Sequence, residues 1–387
     1  MRILRRFLLI ALVGVVCRAG FATGQANIKY LITDNDVTPP FANSVTVLTV
    51  GSDGTLSPKD TIETGGQGIG GGFFATQRVV ALQDGNTPCA FATDAASGDI
   101  AGLNLQTLKI TGNFRGSGAD SGISNGIGLA ANSKYLYASF TDSNRIGTFS
   151  VLSGCKLKFV GDVKVDGLRQ GTINGMKVHS TDLLVVTYSD GSIESFNVTG
   201  GKPVSNDDEQ DSSGRADSNF PTGVDVSSDG HWAIFGDVSN TTVIEVSDLS
   251  SGKLAKPVVY HLGVAVGAAN VYLSPDETLL YITNTQGDRI TAAKFDATTG
   301  KLSKGCVSGK LKGESKDWSY LVSLATASNS GTGGSVYVAE YGSASSVGII
   351  KVTSSDGTCT LTETAKSPAE IPGAALMSIT GFPARSF

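Results

Sequence analysis

Charge is scarce in this chain: Asp, Glu, Lys and Arg together make up 17% of it, aromatic residues 7%, and there are 3 His, 3 Met and 2 Trp. No long stretch places apolar residues at the 3.6 spacing of a helix, which excludes a helical bundle. The one sustained apolar run, Phe7 to Val16, falls well short of the roughly 20 residues a membrane-spanning helix needs. Familiar catalytic signatures are missing too. There is no G-x-S-x-G nucleophile elbow and no H-E-x-x-H zinc helix. The cysteines are too far apart for the C-x-x-C spacing of a zinc site.

What the chain does have is Gly, 49 residues spread along its whole length among Ser, Thr and Asp. That is the composition of many tight turns rather than of one disordered linker. At the N-terminus, Arg2, Arg5 and Arg6 precede the apolar run, and the small residues Gly20, Ala22 and Ala26 follow it. This order reads as a secretory signal peptide over residues 1–26, leaving 27–387 as a single exported domain, secreted or periplasmic. The signal holds Arg2, Arg5, Arg6 and Arg18 and no acid, so the mature chain has 30 − 4 = 26 basic residues against 35 acidic, a net charge near −9. Nucleic acid and anionic lipid are excluded as partners, since both need a basic surface. Four cysteines remain after the signal: Cys89, Cys155, Cys306 and Cys359. An even number in an exported protein permits two disulfides, by any of three pairings, with free buried thiols as the alternative.

One short strand recurs along the chain, an apolar pair followed by a small or hydroxyl residue and usually a polar one. It appears as Leu31-Ile32-Thr33-Asp34, Phe91-Ala92-Thr93-Asp94, Tyr137-Ala138-Ser139-Phe140 and Val185-Val186-Thr187-Tyr188. It continues as Ile234-Phe235-Gly236-Asp237, Tyr281-Ile282-Thr283-Asn284 and Tyr337-Val338-Ala339-Glu340. The copies are separated by 60, 46, 48, 49, 47 and 56 residues, room for four short strands and their turns in each unit. An alternating strand follows each copy, and Gly-rich turns such as Ser251-Gly252 and Thr299-Gly300 follow those strands. The pattern predicts an all-β, seven-bladed β-propeller of four-stranded antiparallel blades. The first copy lacks a preceding strand, and a spare strand, Leu376 to Gly381, stands at the C-terminus. Joining it to the first blade would close the ring and remove two exposed edges.

The segments 221–237 and 271–305, with Leu-Ser-Pro-Asp-Glu-Thr-Leu-Leu-Tyr-Ile-Thr-Asn and Phe-Asp-Ala-Thr-Thr-Gly-Lys-Leu-Ser, resemble the lactonase-like seven-bladed propellers. That family includes phosphogluconolactonase-type and carboxymuconate-cyclase-type enzymes. The resemblance covers most of residues 28–383 as blade pattern and implies a lactone hydrolase or a cyclase. It also implies His, Arg and Glu groups at the channel, often with His or Arg just before an innermost strand. Here the matching positions hold Asn125, Asn174, Thr222 and Ala269, and the histidines His179, His231 and His261 lie elsewhere.

In a four-stranded blade with strands a to d counted from the axis, the d–a and b–c connections emerge on one face, where propellers place ligands. The d–a side offers Asn125, Asn174, Thr222, Ala269 and Tyr320. The b–c side offers Asp34, Asp36, Asp94, Asp142, Arg145, Asp190, Asp237, Asn284, Asp288, Arg289, Glu340 and Tyr341. Together they suggest a ring of carboxylates and amides binding a small molecule, a carbohydrate or a protein, with Arg145 and Arg289 suited to an anionic group. The same Asp and Asn residues also suit hairpin turns. Any acid–base chemistry would fall to Glu340, Asp237 or Arg289. The primary expectation is a monomeric binding propeller without cofactor or dedicated metal ligands; the alternative is a lactonase-like hydrolase or isomerase. Residues 201–218, with Asn206-Asp207-Asp208-Glu209-Gln210-Asp211, interrupt the blade pattern and read as a mobile acidic loop, the one place where bound calcium is conceivable. Gly66, Gly68 and Gly71 match G-x-G-x-x-G but precede no helix pattern, and so read as an interblade connection. Asn197-Val198-Thr199 and Asn240-Thr241-Thr242 are glycosylation sequons in a eukaryotic host.

Overall fold

Strands rich in Val, Ile, Thr and Tyr, separated by Gly-containing turns, pair only with their neighbours in sequence, so the chain folds as a succession of small meanders. The computed structural model describes residues 28–384, apart from 71–76, 117–126, 181, 213–220, 238–242, 263–265, 287, 314–319, 328–333, 342–344, 356–357 and 376–377. The signal segment 1–26, Asn125 and the second sequon at Asn240 lie outside the described residues. Seven antiparallel sheets follow one another as the blades of a propeller. Blade 1 takes strands b to d from 30–63, and blades 2 to 7 span 79–115, 127–164, 173–211, 221–261, 266–307 and 320–370. No helix among the described residues is long and apolar enough to cross a membrane.

The C-terminal strand Ser378–Phe382 lies antiparallel to Tyr30–Asp34 in blade 1, with Asp34 opposite Ser378 and Tyr30 opposite Phe382. The last residues of the chain thus supply the innermost strand of the first blade, and the ring closes as the repeat count predicts. Seven apolar clusters hold the ring, one at each interface between adjacent blades. Each central strand is buried on both faces, because each blade is covered by a neighbour on either side. Its sequence therefore reads as a continuous apolar run rather than a clean alternation.

Two disulfides form, Cys89–Cys155 and Cys306–Cys359. The first joins blade 2 to blade 3 and the second joins blade 6 to blade 7, so both staple neighbouring blades. Disulfides of this kind point to an oxidising compartment.

The acidic segment differs from its sequence reading. Val204–Ser205 and Gln210–Asp211 both pair with strand c of blade 4 and form its outer edge in two pieces. Between them the Asp208 carboxylate accepts hydrogen bonds from Ser195 N at 2.9 Å, Ser195 Oγ at 2.5 Å and, across in blade 5, Leu254 N at 2.7 Å. A carboxylate thus takes up backbone N–H groups that a regular fourth strand would have paired. Up to residue 212 this is a bonded edge clamped to the next blade, and 213–218 lie outside the described residues.

Candidate functional site

Strand b ends at the loop face with one side chain turned back toward the preceding blade. Across the ring these residues are Asn35, Asp94, Phe140, Tyr188, Asp237, Asn284 and Glu340, and every one is buried. Each sits beside a strand-c residue on the same side of the sheet, giving a two-residue slot that recurs in every blade. In blade 1 Asn35 Nδ2 donates to Thr46 Oγ1 at 2.9 Å, and in blade 6 Asn284 Nδ2 donates to Thr291 Oγ1 at 2.9 Å. In blade 4 the Tyr188 hydroxyl donates to Glu194 Oε2 at 2.7 Å. Blades 3 and 7 place a large residue, Phe140 or Glu340, over a glycine, and blade 2 places Asp94 beside Ala101. A Cβ on Gly147 would stand 2.7 Å from Phe140 Cε2, and one on Gly348 would stand 2.2 Å from Glu340 Oε1. Blade 5 alone pairs two acids, Asp237 and Glu245.

This slot places the predicted carboxylates between blades, beneath the loop face, rather than on an open ring. Glu340 is 1% exposed, Asp237 2% and Asp94 0%. Ser346 Oγ donates to Glu340 Oε2 at 3.1 Å, and Oε1 has no hydrogen-bond partner. Burial, with the charges of Glu363 and Asp288, pushes the Glu340 carboxyl up to about 7. Blade 1 also sits one residue out of step with the repeat read from sequence. Leu31 packs toward blade 7 and Ile32 toward blade 2, whereas Phe91 faces forward to blade 3. The counterpart of Asp94 is accordingly Asn35, not Asp34.

Between blades 1 and 2 the acids gather into a buried network that includes a cation absent from the sequence reading. Arg78 Nη1 lies 2.5 Å from Asp36 Oδ2, and each side chain is 1% exposed. Asn43 Nδ2 donates to Asp34 Oδ1 at 3.0 Å and to Asp94 Oδ1 at 3.1 Å, while Thr64 Oγ1 donates to Asp94 Oδ1 at 2.6 Å. Burial, then the charge of Asp36, raises Asp34 to about 6; burial raises Asp94 as well. The Gly-rich connection lies directly over these groups. Ile69 N donates to Asp36 Oδ1 at 2.9 Å, and a Cβ on Gly66 would stand 2.4 Å from Asp94 Oδ2. Its glycines Gly66 and Gly68 let backbone approach Asp94 and Asp36, and Gly71 lies outside the described residues. Arg78 directly precedes the innermost strand Val79–Asp84, the position where the family resemblance implies His or Arg. Its place just before the run Val79-Val80-Ala81-Leu82 was the available signal.

The remaining predicted residues are dispersed. Asn174 is buried, and its Nδ2 donates to Pro221 O at 3.1 Å, linking the innermost strands of blades 4 and 5. Thr222 and Asp288 are buried. Arg145 is ion-paired with Asp162 on its own blade. Arg289 is exposed and donates to Ser308 O at 3.2 Å, and Asp142 is exposed. Asp190 accepts from Arg169 N and Gly171 N within a d–a connection, which helps hold its pKa low against burial. Tyr320 begins the innermost strand of blade 7, with its side chain, like that of Ala269, outside the described set. Sequence reading also missed Lys177, whose Nζ lies 2.9 Å from Asp225 Oδ1 between the innermost strands of blades 4 and 5.

Among the described residues the loop face carries an open cleft of about 550 Å³ at the seam where the ring closes. One wall is the b–c loop of blade 1, with Val37, Thr38 and Phe41; the other is the closing segment 370–375 with Ser345 of blade 7. Phe41 is 70% exposed, the most exposed large apolar side chain among the described residues. Among the described residues no basic one lines the cleft, and Glu370 stands at it.

A family model described as "Lactonase, 7-bladed beta-propeller" matches residues 132–378. The chain belongs to the lactonase family of seven-bladed propellers. A comparison with curated protein sequences finds no match. Among solved structures, a candidate 6-phosphogluconolactonase from Bacteroides fragilis is similar with a TM-score of 0.67 at 14% identity, over 90% of this chain and 97% of that one. A second candidate 6-phosphogluconolactonase, from Bacteroides uniformis, gives a TM-score of 0.57 at 14% identity over 72% of this chain and 84% of its own. A protein from Lactobacillus plantarum gives 0.64 at 14% identity over 91% and 99%. At such identity the likeness concerns the fold.

Proposed function

We propose that this lactonase-family propeller is an exported, monomeric binding protein whose loop face takes up a small molecule in the cleft at the seam. The observation that carries this reading is the contrast on that face. Asp94, Asp237 and Glu340 are sealed between blades, while the cleft between Val37–Phe41 and residues 370–375 is open and largely apolar. Its walls suit a compact apolar or aromatic ligand, and the lack of a basic residue among its described lining disfavours an anionic one. The N-terminal signal pattern and the two interblade disulfides support export to the cell exterior or a periplasm. Because the cleft is shared by blade 1 and the closing segment, a bound ligand would also stabilise ring closure.

Family membership and the two 6-phosphogluconolactonase candidates among the similar structures favour a second reading, a lactone hydrolase acting through Glu340, Asp237 or Arg289. A lactone panel and a small-molecule thermal-shift screen on the mature protein separate the two. The binding reading expects no turnover, and a ligand-induced rise in unfolding midpoint that Phe41→Ser abolishes. Lactone turnover lost in Glu340→Gln or Arg289→Ala would overturn it.

A further inference from the structure

We propose that Asn197 is a site of N-linked glycosylation, with its first sugar seated in a polar hollow between blades 4 and 5. The inference rests on the export reading above, because the glycosyl donor is met during translocation. Asn197-Val198-Thr199 is one of two sequons in the chain, and all three of its residues are described. A sequon can carry a glycan only where the folded chain leaves its Asn at the surface. Asn197 ends strand c of blade 4, Ser192–Asn197, and is exposed, as is Thr199. Val198 between them is fully buried and anchors the turn that follows. Val198 N donates to Asp182 O and Gly201 N donates to Val198 O, both at 2.8 Å.

The two ends of the Asn197 amide have different roles. Its Oδ1 accepts from Thr199 N at 3.0 Å, an Asx turn that fixes the side chain. Its Nδ2, the atom that carries a glycan, donates to no group among the described residues. Asn206 nearby instead commits its Nδ2 to Ser195 Oγ at 2.8 Å and Gly252 O at 3.4 Å. Glycosylation joins Nδ2 to the anomeric carbon of a polyprenyl-diphosphate-linked oligosaccharide. The sugar–phosphate bond breaks, the polyprenyl diphosphate leaves and the amide gives up one proton. The amide keeps its carbonyl, so the Asx turn survives the modification. Asn197 also lines a hollow of about 260 Å³ between the turns of blades 4 and 5. Buried Leu183 and Leu249 offer apolar contact there, while Asp182 and Asp229 offer acceptors for sugar hydroxyls. Directly opposite Asn197 in the sheet stands Val204, 64% exposed, with its side chain on the same side. A sugar on Asn197 therefore covers an apolar side chain on the short edge strand Val204–Ser205. The site lies at the c–d turn, on the face opposite the b–c loops, so the glycan leaves the cleft beside Phe41 clear.

Secretion of the full chain from a yeast host tests this, with residues 1–26 retained in one version and replaced by that host's own secretion signal in another. Peptide N-glycosidase converts a glycosylated Asn to Asp, and peptide mapping should place that conversion at residue 197. The modification should be lost in Asn197→Gln and in Thr199→Ala and retained in Asn240→Gln. Removing the glycan from the folded wild-type protein should raise its binding of an apolar dye, and Val204→Ser should abolish that rise. Secreted protein unmodified at residue 197 overturns the proposal, and dye binding that deglycosylation leaves unchanged overturns the seating of the sugar over Val204. A chain secreted only with the replaced signal, yet modified at residue 197, would leave the site standing and remove the export reading.

Discussion

Glu340 shows how burial rewrites a residue that looks catalytic in sequence. Its carboxyl is covered by the Gly313 and Gly348 backbones and accepts a hydrogen bond from Ser346. An acid whose folded pKa is raised keeps a proton that the unfolded chain would release. The stability it contributes is whole below its unfolded value near pH 4.5 and is lost as pH rises through about 7. Asp34 and Asp94 act in the same direction. The protein should thus be more stable at pH 5 than at pH 8. Glu340→Gln, which mimics the protonated acid, should match wild type at pH 5 and exceed it by about 1–3 kcal/mol at pH 8 in urea unfolding. A variant less stable than wild type at both pH values would show that the ionised carboxylate is the native form.

At the scale of the strand, the slot between strands b and c is an exchange of volume as well as of hydrogen bonds. Phe140 reaches over Gly147, and a methyl group there would collide with its ring. Gly147→Ala should cost about 1–3 kcal/mol, and Phe140→Leu on that background should recover part of the loss. Additive losses measured by denaturant unfolding would mean that the two positions do not share the slot. The same element explains the register slip in blade 1. Both faces of strand b are buried, so Leu31 and Ile32 are equally apolar, and alternation cannot say which of them faces forward. The edge strand of blade 4 was hidden for a different reason. Its pairing is carried by the Asp208 side chain, and a run of acids gives no apolar period to read.

Closure and stapling belong to the whole molecule. Removal of residues 376–387 would strip blade 1 of its innermost strand and expose the Tyr30–Asp34 edge to the channel. The truncated chain should fail to give a cooperative unfolding transition, whereas a chain that unfolds with an unchanged midpoint would show closure to be dispensable. Each disulfide closes a loop of more than fifty residues, with sequence separations of 66 and 53. Breaking either by a double Cys→Ser change should lower stability by about 4 kcal/mol in the chain-entropy estimate, read as a shift in the denaturant midpoint.

The sequence by itself determined the number of blades, their order, the missing first strand and its C-terminal replacement. These follow from local spacing, since a blade is built from strands adjacent in the chain. Only the tertiary structure decided which of three cysteine pairings forms, that Arg78 meets Asp36, that Asp237 faces Glu245, and that a cleft opens beside Phe41. Each of these joins residues brought together by the angle between neighbouring blades or by closure of the ring, and a one-dimensional repeat carries no record of either. The acids expected on an open face are buried for the same reason: the repeat shows where strand b ends, while only the neighbouring blade decides what covers that end.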